Sequence, residues 1–86
     1  MNKSNIQVMP SMNDDVFSNL ANAILLQAVK DYRGALKKLK NYPYDFESNK
    51  VKLSVERFFR SKWYSELTNI DGKILIRKLR DEVQGL

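Results

Sequence analysis

The side chains that most often serve as general base, nucleophile or zinc ligand are missing, because the 86 residues contain no histidine and no cysteine. That composition removes imidazole and thiolate chemistry, the usual physiological pH switch and any disulfide. Ten carboxylates and fifteen lysines or arginines remain. No Gly-rich phosphate loop, G-x-S-x-G elbow or metal-spaced acidic set organises them. The expectation is a non-enzyme with no cofactor and no metal, whose chemistry is recognition.

Basic residues are the strongest candidates for that recognition. Residues 1–29 hold one lysine against two aspartates, whereas residues 30–86 hold fourteen basic side chains against eight acidic ones. Lys30, Arg33, Lys37 and Lys40 follow steps of three, four and three, which lines them along one side of a helix. Such a stripe can track a phosphate backbone with salt-sensitive affinity. It is equally the ordinary solvated face of an amphipathic helix, with aliphatic stems shielding apolar surface. Lys50, Lys52, Arg57, Arg60 and Lys62 form a second basic group.

The densest aromatic and basic cluster is Phe58-Phe59-Arg60-Ser61-Lys62-Trp63-Tyr64. Stacking on bases and pairing with phosphates need such a mixture. In a small helical domain, however, Phe58, Phe59 and Trp63 read first as core, with Trp63 as the packing anchor. That leaves Arg60, Lys62 and Tyr64 as surface members. A further reading makes Lys73 to Val83 a recognition helix that points Lys73, Arg77 and Arg80 at a major groove. The preceding turn does not specifically match that motif.

The elements that must position these residues are helices. Asn13 followed by Asp14 and Asp15 favours a helix start. Phe17, Leu20, Ala21, Ile24, Leu25, Ala28, Tyr32, Ala35, Leu36 and Leu39 then recur at helical spacing until Asn41 and Pro43 end the run. The predicted first helix spans Asp14 to Lys40, with Gly34 inside it to allow close packing or a bend. Tyr42, Tyr44 and Phe46 are expected to cap the open end of the core. Ser48 is read as the cap of a second helix carrying Val51, Val55, Phe58 and Phe59, and Ser61 as the cap of a short third. Thr68 with Asp71 resembles a capping signature for a last helix carrying Ile74, Leu75, Leu79 and Val83, closed by Gly85. Residues 1–12 read as a flexible leader, within which Met9 or Met12 is an alternative start. The rest, 13–86, reads as a single all-α domain, a compact three- to four-helix bundle with a long first helix.

The run Glu56 to Thr68, with Ile70-Asp71-Gly72, Leu75 to Arg80 and Ala21 to Arg33, resembles small proteins encoded by prophages and mobile elements of Gram-positive bacteria. The similarity covers most of Leu20 to Val83. It implies a setting, the cytoplasm of a bacterial host, and no particular binding residues. Three roles fit that setting. One is an accessory protein on DNA or RNA, and another is an inhibitor or adaptor on a host protein such as a defence nuclease or a replication or transcription component. The third is a packaging accessory held in a homo-oligomer. No membrane span is expected, and the apolar faces that a membrane-surface helix needs are better used against one another.

Overall fold

The computed structural model describes the backbone of residues 9–86 and the side chains of residues 16–86. Four helices follow in order: α1 (Met9–Asn41), α2 (Phe46–Phe59), α3 (Lys62–Leu67) and α4 (Gly72–Gln84). No strand occurs among the described residues, so the fold is the all-α bundle that the spacing predicts. Residues 1–8 of the expected leader lie outside the described residues. The helix starts earlier than predicted, running through Met9–Met12 and the expected cap at Asn13. Pro10 is compatible with this start, since a proline in a first turn sacrifices only an N–H that has no intrahelical partner.

A four-residue connection, Tyr42 to Asp45, folds α2 back along α1, and α4 packs against both. The core is aromatic. Phe59, at the end of α2, is edge-on to Tyr32 of α1 at 5.8 Å and to Tyr64 of α3 at 5.5 Å between ring centres. Phe58 lies edge-on to Tyr64 and to Trp63. Ile76 and Leu79 of α4 complete the buried cluster. Inside it the Tyr32 hydroxyl donates to buried Glu56 at 2.5 Å, and the Lys52 ammonium stands 3.6 Å from the same carboxylate oxygen. Burial, with the bond to Glu56, pushes the Tyr32 phenol well above the ordinary tyrosine range.

Three local expectations are corrected. The cap of α2 is Asp45, whose carboxylate accepts the Ser48 N–H at 2.9 Å, while Ser48 itself is buried one turn inside the helix. Asp71, not Thr68, caps α4, accepting from Lys73 and Ile74. Ser61 caps α3 as predicted, and Gly85 closes α4. Tyr42, Tyr44 and Phe46 do not close the core but stand in solvent. The buried face of α2 runs through Ser48, Val55, Glu56 and Phe59, and Phe46, at the first position of the helix, falls off that line.

The glycines separate into two kinds. Gly34 has nothing within 4 Å of where a Cβ would stand, so it serves no close contact in α1. Gly72, the first residue of α4, is pressed against the end of α2: a Cβ there would lie 1.9 Å from the Phe59 carbonyl oxygen. Only a hydrogen side chain permits that approach. Gly34→Ala should therefore raise unfolding free energy by about 1 kcal/mol, and Gly72→Ala should lower it by about 1–3 kcal/mol. Urea denaturation of the two variants checks the opposite signs.

Candidate basic groove

The residues of the predicted stripe on α1 do not stay together as a free surface. Arg33 forms a two-pronged ion pair with Glu82 of α4, at 2.7 and 3.0 Å. The Lys40 ammonium donates to the carbonyls of Val83 and Gln84, at 3.2 and 3.5 Å. Those are among the last carbonyls of α4, which have no intrahelical partner and carry the negative end of the helix dipole. Half of the stripe thus tacks α1 to α4, leaving Lys30 and Lys37 exposed between the tacks. Arg33 holds Glu82 below the usual carboxylate range, first through the hydrogen bond and then through charge, with Lys37 adding to the field.

A different set of basic residues converges. Along α4, Ile76, Leu79 and Val83 turn into the core. Steps of four and three from Lys73 bring Lys73, Arg77 and Arg80 onto an outer line of the same helix. Arg60, the C-cap of α2, meets that line because Gly72 lets the start of α4 close on the Phe59 carbonyl. Arg60, Lys73, Arg77 and Arg80, with Ile76, Asp81 and Gln84, line an open groove of about 490 Å³. None of its four cations has an ion-pair partner among the described residues, where the pairs are Arg33–Glu82, Lys38–Asp45 and Lys52–Glu56. Asp81 is the single carboxylate in the lining.

Among the predicted site residues, Arg60 belongs to this groove, and Lys62 is exposed at the start of α3. Tyr64 is corrected: it is 2% exposed, in the core, and its hydroxyl is buried without a hydrogen-bond partner among the described residues. Burial, and behind it the Asp71 charge, raises its pKa. Trp63, expected as the packing anchor, is 55% exposed. The two exchange roles because Ser61 starts α3 and thereby sets which side of one turn faces Phe59. Lys73, Arg77 and Arg80, which sequence reasoning placed only in the recognition-helix reading, are the groove residues its main site missed. Their signal was the spacing of Lys73, Arg77 and Arg80 opposite Ile76, Leu79 and Val83.

Compared with known proteins, the chain matches no family model, no curated protein and no solved structure. No helix among the described residues is long and apolar enough to cross a membrane.

Exchange of the two rings is measurable. Tyr64→Ala should cost about 3–5 kcal/mol, whereas Trp63→Ala should cost about 1 kcal/mol, the scale of one aromatic contact. Equal losses in denaturant titrations would put Trp63 back in the core. Glu82, with its lowered pKa, contributes stability that is present at neutral pH and lost as pH falls through and below the usual carboxylate range of ~4.3. The melting temperature of the native chain should accordingly drop more steeply below pH ~4 than that of Glu82→Gln. Superimposable pH profiles would show that the Arg33–Glu82 tether contributes nothing.

Proposed function

We propose that the chain is a non-enzymatic accessory protein of a phage or mobile element that binds nucleic acid through the outer face of α4. The observation that carries this reading is the groove of Arg60, Lys73, Arg77 and Arg80, four cations with no ion-pair partners among the described residues. Paired cations are already neutralised, whereas unpaired ones repel one another and gain most from an arriving phosphate, which also releases counterions. Arginine adds a planar fork that matches phosphate oxygens in two places. The net charge of +5 extends the attraction beyond contact distance and steers a polyanion toward the surface.

The same groove favours a phosphate backbone over a host-protein surface, because four unpaired cations beside a single carboxylate in its lining match a uniformly anionic polymer. Four cations and one carboxylate describe positioning on a backbone, with no set of side chains arranged to read base edges. Binding with little sequence preference and a steep salt dependence follows.

Filter binding to mixed duplex and single-stranded DNA at low and moderate salt tests this. The native chain should bind at low salt, and the slope of log affinity against log salt should be about −3 to −4 if all four cations meet phosphates. Lys73→Glu with Arg77→Glu should weaken binding at least tenfold and flatten the slope by about 2, with the thermal melt unchanged. Lys30→Glu with Lys37→Glu on α1 should have a clearly smaller effect. Absence of any association at low salt would end the nucleic-acid reading, and equal losses in the two pairs would move the site away from α4.

A further inference from the structure

The exposed half of α1 carries a feature that the basic groove does not use. Phe17, Leu20, Ile24, Gln27 and Asp31 follow steps of three, four, three and four, the spacing of a coiled-coil seam. The 33 residues of α1 make a helix about 50 Å long at 1.5 Å per residue, whereas the 14 residues of α2 reach about 21 Å. The bundle therefore covers only part of the seam. Phe17 and Leu20 are each 57% exposed, and Val16 beside them is 52% exposed. Farther along, the seam forms one wall of an open apolar groove of about 450 Å³. Its lining includes the small residues Ala23, Ala28 and Ser54, together with Val55, Phe58 and half-exposed Trp63.

Large projecting side chains and a hollow lined partly by small ones thus lie on one strip, about two helical turns apart. A surface that carries both a projection and the hollow to receive it is complementary to itself when rotated by a two-fold axis, which is what an isologous contact requires. We propose that a second copy of this chain covers the strip. The two α1 helices lie antiparallel and cross between Ala21 and Ile24. Phe17 of each copy enters the groove beside Ala28 and Val55 of the other, and Leu20 rests on the other's Ala23 and Ile24.

The surface available fits a reversible dimer. Val16, Phe17, Leu20 and Trp63 each expose on the order of 100 Å². With the groove walls, burial reaches roughly 600 Å² per copy and about 1,200 Å² in total, the lower edge of stable interfaces. Among the described residues the strip carries Asp31 as its only charge, with Gln27 donating to that carboxylate at 2.7 Å. The net positive charge therefore opposes association only at long range and should be screened by salt. The basic groove on α4 takes no part, so the dimer stands or falls independently of nucleic-acid binding.

Sedimentation equilibrium without nucleic acid, from about 1 to several hundred µM, is the test. The mass should rise with concentration from the 10.1 kDa of one chain toward twice that value. Phe17→Asp with Leu20→Asp should weaken dimerisation at least tenfold while leaving the thermal melt of the monomer in place, because both side chains are more than half exposed in the bundle. Ser54→Tyr, which fills the hollow instead of removing the projection, should weaken it comparably. A monomer mass throughout, or a dimer indifferent to both changes, would overturn the proposal. So would a monomer that co-sediments with anionic vesicles and loses that association in the Phe17 and Leu20 variant, since a lipid surface would then be the occupant.

Discussion

The contact on which the rest of the molecule depends is the end of α2 against the start of α4. The Phe59 carbonyl occupies the space that any side chain at position 72 would need, while the Phe59 ring bridges Tyr32 of α1 and Tyr64 of α3. One residue thereby joins all four helices, through its ring on two sides and its backbone on a third. In a domain of 86 residues the buried fraction of surface is modest. Edge-to-face ring pairs, each contributing about 0.5–1.5 kcal/mol beyond burial, therefore carry an unusual share of cohesion. The buried Glu56 carboxylate is admitted to this core because the Tyr32 hydroxyl donates to it and Lys52 stands beside it; a buried polar group without partners is costly.

Electrostatics divides the basic residues by what they meet. Arg33 and Lys40 face the acidic and carbonyl-rich end of α4, and their charge is spent on joining helices. Arg60, Lys73, Arg77 and Arg80 line one open groove. Mutual repulsion is tolerable there because water screens it. The molecule therefore presents two surfaces of opposite character, a cationic groove on α4 and a mostly apolar strip on α1 whose charged member is Asp31. Their separation means that the proposed self-association and the proposed binding of a polyanion would not compete.

Helical periodicity, caps and breakers made the fold class readable from the amino-acid order. Apolar residues at three- and four-residue steps need a helix to share a face, Pro43 ends one, Ser61 starts another and Gly85 closes the last, all through local chemistry. Local order also marked Arg60 and Lys62 as surface cations. It misjudged position where two local readings were equally good. Asp45 and Ser48 are both sound caps, as are Thr68 and Asp71, and the winner in each case depends on where the chain must turn to pack.

Tertiary structure alone decided the pairing of faces. Whether Trp63 or Tyr64 turns inward depends on the phase of a single helical turn against Phe59, a quantity set by neighbours distant in the chain. Lys30, Arg33, Lys37 and Lys40 look alike along α1, yet two of them meet α4 and two meet water, because Glu82 and the last carbonyls of α4 arrive from more than forty residues away. The close approach at Gly72 is likewise invisible in Asp71-Gly72, which reads as a turn. Sequence by itself determined that this chain is helical, cationic and without histidine or cysteine chemistry, since those follow from residue type and short-range spacing. Which cations remain free, and which apolar residues remain uncovered, follows from long-range packing and therefore belonged to the folded structure.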